Sequence, residues 1–400
     1  MRKEKMLSER VKQVKPSGIR KFFDLASETE GVISLGVGEP DFATPWHIRE
    51  AAIYSISQGK TFYTANQGLF ELRKEICRYL KQRFDLSYQP KENVIVTVGG
   101  SEAIDITMRA IINEGDEVIV LSPGYVAYEP SVIMTGARPV LIELKEENQF
   151  KLTKEALQAA ITPKTKAILL NFPSNPTGGV MTYEDYTAIV PIIKDSGILV
   201  ISDEIYAELS YDVKHCSLAN FPEIKDQVLL ISGFSKAFAM TGWRLGYVCG
   251  DEYFIKAMNK IHQYVIMSAP TAAQYGAIEG LRNGIDHVRE MRDSYLTRRN
   301  FIVNGFNKLG LKTHMPQGAF YIFPCIKSTG LTSEGFCEAL LADQKVACVP
   351  GTAFGEAGEG FIRVSYAYSI EEIKTALARI EQFLKNRGFY PLRVTDKDIL

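Results

Sequence analysis

The chain has 400 residues, and its 46 lysines and arginines against 47 aspartates and glutamates give a formal net charge of −1. This length allows one large hydrophobic core and a second, smaller one. The balanced charge gives no electrostatic reason to expect a nucleic-acid partner, and no apolar run reaches the roughly 18 to 20 residues of a membrane helix. The six cysteines are scattered without a Cys-x-x-Cys pair, so neither a disulfide framework nor a metal site is indicated. We therefore expect a cytoplasmic globular protein that binds neither nucleic acid nor membrane.

The segment from 93 to 250 alternates short Val/Ile/Leu-rich runs with longer amphipathic ones. Continuous apolar runs are typical of strands that helices cover on both faces, so this segment predicts an α/β fold with a largely parallel sheet. In such sheets ligands bind at the carboxyl ends of the strands. The predicted strands are NVIVTV, DEVIVLS, PVLIEL, KAILLN, ILVISD, QVLLIS and LGYVCG, and the predicted helices include SEAIDITMRAII, KEALQAAI and TYEDYTAIVPIIK.

The pattern changes after about residue 290. A long charged helix is followed by three short β segments, GAFYIFP, VACVPG and FIRVSYA, and by a last helix from Ile370 onward. Ser369 and Glu372 form the sequence signature of a capping box for that helix. These elements predict a smaller α+β domain, which residues 1–45 could join.

Three polar clusters follow predicted strands. SGFSKAFAMTGWRLGY at 232–247 contains Lys236 and Arg244, SDEIY follows ILVIS with Asp203 and Tyr206, and NFPSNPTGG follows KAILL. A lone lysine is more often solvated, and Arg244 could pair with a surface carboxylate. Three polar clusters at strand ends favour a ligand site instead.

Other short motifs lead to no alternative site. GVGEPD at 36–41 departs from a dinucleotide fingerprint at Asp41, and GFSKA lacks the last glycine of a nucleophile elbow. A catalytic triad stays open, but no motif points to one.

Eight motifs together carry a resemblance: GVGEPDF, YTANQG, VTVGGSEA, SPGY, SNPTGG, SDEIY, GFSKAFAMTGWRLGY and FIRVSYA. Their order and spacing resemble the class I/II aminotransferases, pyridoxal 5′-phosphate enzymes of fold type I, and most of all the bacterial and archaeal aromatic and N-acetyl-LL-diaminopimelate aminotransferases. The resemblance implies a transaminase with a large cofactor domain at 46–288, whose mostly parallel mixed sheet lies between helices. The smaller α+β domain would comprise 1–45 and 289–400.

The resemblance implies roles for four residues around the cofactor ring. Lys236 would bond to the cofactor aldehyde and move protons, since a desolvated lysine is a usable nucleophile and base. Asp203 would keep the ring nitrogen protonated, and Asn175 and Tyr206 would donate hydrogen bonds to the phenolic oxygen. Alternatively, Asp203 caps a helix and Asn175 shapes a turn.

The resemblance places the cofactor phosphate at Gly99, Gly100 and Ser101, where a helix would begin, with Arg244 as the cation. Tyr125 would stack on the cofactor ring. The alternatives are a strand–helix turn, a surface ion pair and a structural tyrosine.

One position departs from the family pattern at the phosphate. Gly233 stands where many relatives have a serine, so which neighbour, Ser232 or Ser235, binds phosphate stays open; we expect Ser235.

The resemblance also implies a substrate site and a second subunit. Arg363 would bind the substrate α-carboxylate beside Gly38 and Asn175; the less favoured alternative for a buried arginine is an internal salt bridge. Tyr63 resembles a tyrosine that reaches the cofactor of the partner subunit, which implies a homodimer with shared sites. Otherwise Tyr63 is a packing aromatic.

The expected reaction is a ping-pong transfer of an amino group from an aromatic or N-acetyl-diaminopimelate-like L-amino acid to a 2-oxo acid, with 2-oxoglutarate favoured. HQYVIMSAPTAAQ at 262–274 lacks an arginine, which argues against a dedicated aspartate aminotransferase. Side-chain selectivity is expected to depend on residues 15–24 and on the second subunit. A carbon–sulfur β-lyase on the same fold and, more distantly, a cofactor-binding regulator stay open.

Overall fold

The computed structural model describes residues 6–16, 18–19 and 30–389. The chain begins with α1 (Glu9–Gln13), β1 (Ile33–Ser34), α2 (Trp46–Ser57) and α3 (Phe70–Phe84). The middle of the chain contains β2 (Val94–Thr97), α4 (Gly99–Ile111), β3 (Glu117–Ser122), α5 (Tyr128–Thr135), β4 (Arg138–Glu143), α6 (Lys154–Ala160), β5 (Thr165–Asn171), α7 (Tyr183–Ser196), β6 (Leu199–Asp203), β7 (Val228–Gly233) and β8 (Gly246–Cys249). The remainder contains α8 (Glu252–Val265), α9 (Thr271–Asn283), α10 (Ile285–Lys308), β9 (Tyr321–Ile322), α11 (Ser333–Gln344), β10 (Val346–Ala347), β11 (Val349–Pro350), β12 (Ile362–Ser365) and α12 (Ile370–Asn386).

The central sheet contains the seven strands predicted from the apolar runs. Their order is β2-β8-β7-β6-β5-β3-β4. Strand β8 is antiparallel to β2 and β7, and every other neighbouring pair is parallel. The carboxyl ends of β2, β5, β6 and β7 therefore meet at one edge of the sheet, where Asn171 of β5 stands opposite Asp203 of β6.

Two hydrophobic clusters cover the two faces of this sheet. Ile168 and Leu170 of β5 belong to one cluster, and Ala167 and Leu169 belong to the other. This alternation follows from the two-residue period of a strand. Since both faces pack against helices, both sets are buried, which explains why the strand reads as a continuous apolar run. The predicted α/β fold with a mostly parallel mixed sheet is confirmed.

A third hydrophobic cluster organises the smaller part of the molecule. It packs α10, α11 and α12 around the antiparallel sheet β11-β12-β9. Ser369 and Glu372 form the predicted capping box at the start of α12. Strand β1 pairs in parallel with β10, so residues near 33 join this part of the molecule. The exact domain boundaries stay a prediction.

None of the helices in the described ranges combines the length and the apolar character needed to cross a bilayer.

Candidate active site

A cavity of about 520 Å³ lies at the carboxyl edge of the central sheet. Gly99 is not part of its lining but lies beside two residues that are, since it precedes Gly100 and a Cβ there would lie 2.8 Å from the Arg244 guanidinium. Tyr63 is not part of its lining, and 81% of Tyr63 is exposed in the single chain. The predicted site residues that line the cavity are Gly38, Gly100, Ser101, Tyr125, Asn175, Asp203, Tyr206, Ser235, Lys236, Arg244 and Arg363.

Lys236 lies in the loop after β7, and its amine points into the cavity. The Nζ atom donates a hydrogen bond of 2.6 Å to the carbonyl oxygen of Gly38. It also lies 5.8 Å from the centre of the Tyr206 ring and 5.7 Å from that of Phe320. The amine therefore has aromatic neighbours and a neutral acceptor, and no described residue forms an ion pair with it.

The pKa of Lys236 is lowered to about 8, mainly by burial and also by the positive charges of Arg363 and Arg244, which act against the opposing effects of Glu39 and Asp203. At pH 7 roughly a tenth of such amines is neutral, against about one in 2,500 for an ordinary lysine. The amine can therefore act as a nucleophile and as a base near neutral pH.

Asp203 ends β6 and faces the cavity with its carboxylate. Tyr128 donates to Oδ2 at 2.8 Å, and the backbone N–H of Ile205 donates to Oδ1 at 3.1 Å. The residues after Asp203 form a turn and not an α-helix, so the alternative role as a helix cap does not apply. Burial raises the pKa of Asp203 to about 6, although both hydrogen bonds oppose this. A buried carboxylate of this kind favours a cationic partner in the cavity.

Arg363 in β12 is a buried cation held by neutral groups. It donates to Asn175 Oδ1 at 3.0 Å and to the carbonyl oxygen of Gly36. Its guanidinium lies against two aromatic rings, 4.5 Å from the centre of Tyr321 and 4.8 Å from that of Phe354. Its Nε atom has no partner, and no ion pair in the described part of the chain includes it. The internal salt bridge is therefore not found, and the arginine is free to bind a carboxylate.

The start of α4 forms one end of the cavity. Gly99 has φ 75°, Gly100 and Ser101 follow it, and the first N–H groups of the helix have no partner within the helix. Arg244 lies beside them, and its Nη1 donates to the carbonyl oxygen of Thr241 at 3.0 Å. Backbone donors at a helix start together with a guanidinium suit an anion such as phosphate.

The serines near Lys236 differ in where they point. Ser235 lines the cavity. Ser232 does not, and its hydroxyl donates to the carbonyl oxygen of Glu204 at 3.3 Å. The geometry therefore favours Ser235 over Ser232 as an anion ligand.

Sequence reasoning missed two tyrosines of the site. Tyr128 donates to Asp203 from the first position of α5, and its nearness in the chain to Tyr125 of the SPGY motif was the usable signal. Tyr321 contacts Tyr206 and Arg363, and no local pattern marks it. Of the expected selectivity segment 15–24, Ile19 lines the cavity, whereas residues 17 and 20–24 lie outside the described residues.

Comparisons with known proteins agree over almost the whole chain. Residues 30–380 match the family model described as aminotransferase class I and II. YugH of Bacillus subtilis (strain 168) is 55% identical over 378 residues, which is 94% of this chain and 98% of YugH. Aromatic-amino-acid aminotransferase 2 of Thermococcus litoralis is 42% identical over 384 residues, 95% of this chain and 99% of that protein. The solved structure of aspartate aminotransferase from Thermus thermophilus with maleate matches with a TM-score of 0.90 at 39% identity, covering 94% of this chain and 99% of that chain.

Proposed function

The chain belongs to the aminotransferase class I and II family and is a transaminase; from that premise we propose that it binds pyridoxal 5′-phosphate in the cavity around Lys236. The observation that carries this proposal is the arrangement of three groups around one cavity. An amine with a lowered pKa, a buried carboxylate and a buried guanidinium face the same space, and none of them forms an ion pair with a described residue.

The residues present fit each functional group of this cofactor. Lys236 is the amine for its aldehyde, and Asp203 is the carboxylate for its ring nitrogen. Tyr206 and Asn175 offer donors to its phenolic oxygen, and Tyr125 offers a ring for stacking.

A second set of residues fits the cofactor phosphate. The N–H groups at Gly99, Gly100 and Ser101, the Ser235 hydroxyl and the Arg244 guanidinium would bind it.

Three residues of the chain account for the proton movements and the orientation of the substrate. When bound, pyridoxal phosphate withdraws electrons from the substrate α-carbon, which stabilises negative charge there. Arg363 binds the substrate carboxylate and so fixes the direction of the bond from the α-carbon to its hydrogen. Lys236, as a neutral amine, accepts the α-proton and later returns it, and its lowered pKa suits both steps near neutral pH. Asp203 stabilises the positive charge on the ring nitrogen.

We propose an aromatic or N-acetyl-diaminopimelate-like amino donor, 2-oxoglutarate as acceptor and a ping-pong order. The family resemblance and the T. litoralis aromatic aminotransferase support the aromatic donor. Residues 262–274 contain no arginine for a second carboxylate, which speaks against a dedicated aspartate enzyme. The name of the T. thermophilus relative makes aspartate the competing donor.

The proposed assembly is a homodimer with shared sites in the cytoplasm. The six cysteines are free thiols, which is typical of a reducing compartment. The exposed ring of Tyr63 is available to a second subunit.

Purified protein mixed with amino acid alone tests the proposed reaction. We expect the bound cofactor to accept one amino group per site, measured as a stoichiometric change in absorbance, with release of one 2-oxo acid. Lys236→Ala should reduce turnover by about a thousandfold or more, since the acid–base group is lost. Asp195→Asn, on an exposed position far from the cavity lining, is the control and should not change turnover. Steady release of pyruvate and ammonia without an acceptor would instead identify a β-lyase, and full activity of Lys236→Ala would contradict the role of the lysine.

A further inference from the structure

Tyr321 joins the two halves of the active site. It lies in β9, which pairs in antiparallel fashion with β12 at Ser365. Its side chain is buried and lines the cavity. Its ring lies 4.5 Å below the Arg363 guanidinium, and its hydroxyl oxygen lies 2.9 Å from that of Tyr206. One side chain therefore touches both the group proposed to bind the substrate carboxylate and a group proposed to bind the cofactor.

The position of the Tyr321 hydroxyl also explains why residue 38 is a glycine. A Cβ at Gly38 would lie 2.6 Å from the Tyr321 hydroxyl oxygen, closer than real Cβ contacts come. Gly38 in turn accepts the hydrogen bond of Lys236. The absence of a side chain at 38 lets the phenol approach this part of the backbone, so the phenol position is tied to the surroundings of the lysine.

Two phenols at this distance share one hydrogen bond, and each has only one O–H to donate. If Tyr206 donates to Tyr321, its hydrogen is used up and it offers the cavity only an acceptor. If Tyr321 donates, the hydrogen of Tyr206 is free to point into the cavity. Hydrogen bonds in such a chain also strengthen one another.

We propose that Tyr321 is a positioning residue, which donates to Tyr206 so that Tyr206 donates to the cofactor, and whose ring supports Arg363. This inference rests on the proposed function, because it needs pyridoxal phosphate in the cavity. It assigns two separable contributions to one residue: the hydroxyl acts through Tyr206, and the ring acts through Arg363.

Tyr321→Phe removes the hydroxyl and keeps the ring. The readout is the pH at which the absorbance of the bound cofactor changes by half. A donor to the phenolic oxygen stabilises the deprotonated, more negative state, so weakening this donor should raise the midpoint by about half a pH unit, with a loss in kcat of about fivefold and little change in KM. In a Tyr206→Phe background the same substitution should cause no further shift, because the residue through which it acts is already lost.

Tyr321→Leu also removes the ring below the guanidinium. Binding of 3-phenylpropionate, an acid without an amine, should weaken about fivefold in this variant and stay within about twofold in Tyr321→Phe. The difference between the two variants isolates the ring from the hydroxyl.

Tyr366→Phe is the matched control. Tyr366 belongs to the same hydrophobic cluster, is fully buried and donates to the carbonyl oxygen of Ala319 at 3.1 Å, but it does not line the cavity. The proposal would be overturned if the pH midpoint of the cofactor absorbance shifted as much in Tyr366→Phe as in Tyr321→Phe. It would also be overturned if that midpoint did not shift in Tyr321→Phe. A wild-type protein that binds no cofactor would instead refute the proposed function itself.

Discussion

The carboxylate of Asp203 is buried at the cavity, and no described residue forms an ion pair with it. Its folded-state pKa of about 6 lies above the ordinary value of 3.8. The folded apoprotein therefore binds this proton more tightly than the unfolded chain does, and its stability falls as the pH rises from about 4 through 6. The site thus lowers the stability of the apoprotein at neutral pH, and a cofactor with a protonated ring nitrogen would compensate for this.

Asp203→Asn should favour the folded apoprotein more at neutral pH than at acidic pH. The amide carries no charge, and its one oxygen keeps only one of the two hydrogen bonds accepted from Tyr128 and the Ile205 N–H, a loss that is the same at every pH. The change in unfolding free energy should therefore be about 1.4 kcal/mol more favourable at pH 7.5 than at pH 5. Urea unfolding of the apoprotein at the two pH values measures this. Asp195→Asn, on an exposed position, should show no such pH dependence. If Asp203→Asn changes the unfolding free energy by the same amount at both pH values, the ionised carboxylate does not destabilise the folded apoprotein.

The residues that sequence reasoning found and missed differ in what identifies them. Lys236, Asp203 and Arg363 are charged groups next to apolar strands, where charge needs a reason, so the local pattern marks them as candidates and the family resemblance implies their roles. Tyr321 is an aromatic residue in a buried strand. Aromatic residues are common in buried strands, so its presence there does not indicate a functional role. Its importance depends on the register of β9 against β12, which brings its ring below Arg363 and which no local pattern encodes.

Helix α4 and strand β8 pack against each other at glycines. A Cβ at Gly246 in β8 would lie 2.7 Å from the carbonyl carbon of Gly99 and 2.8 Å from the nitrogen of Gly100. Both neighbours are backbone atoms at the start of α4 and cannot rotate away. The first turn of α4, which is proposed to bind the cofactor phosphate, therefore depends on the missing side chain in β8.

Gly246→Ala should displace the start of α4 and weaken cofactor binding by about tenfold, because the backbone donors would no longer point at the phosphate. Equilibrium binding of pyridoxal phosphate to the apoprotein measures this. Gly250→Ala, at the other end of β8, is the matched control, since its Cβ would meet Leu229 Cδ2 at 2.7 Å and no part of α4. If both variants lose the same affinity, the effect is general strain in β8 and the specific packing of α4 is not its cause.

The elements of the central sheet could be predicted because burial on both faces leaves long apolar runs in the sequence. The order of the strands could not be predicted, since β8 returns antiparallel between β2 and β7 and nothing in GYVC distinguishes it from a parallel strand. Strand β10 lies within the predicted β segment VACVPG, whereas β1 was not predicted, because its two residues are too few for a two-residue period to be visible.

The surface of the single chain exposes aromatic residues on neighbouring segments. Tyr63 and Phe62 are each 81% exposed, and Thr271 at the start of α9 donates to the carbonyl oxygen of Phe62 at 2.8 Å. Tyr264 at the end of α8 is 87% exposed. Such exposed aromatic groups are enriched at protein interfaces. They support the proposed homodimer, in which Tyr63 of one subunit would complete the site of the other.

Mixing Lys236→Ala chains with Tyr63→Ala chains, each expected to have lower turnover, tests whether the sites are shared. In a mixed dimer of Lys236→Ala with Tyr63→Ala chains, one site combines an intact Lys236 with an intact Tyr63 from the partner, and the other site lacks both. Equal mixing with free exchange makes half of the dimers mixed, so about a quarter of all sites should be restored. Turnover of the re-equilibrated mixture, at a dimer mass confirmed by light scattering, measures this.

Lys236→Ala mixed with Asp203→Asn is the control, because both residues belong to the same chain's site and no combination of the two chains restores a complete site. Turnover no higher than the mean of the separate Lys236→Ala and Tyr63→Ala proteins would show that Tyr63 does not act across subunits.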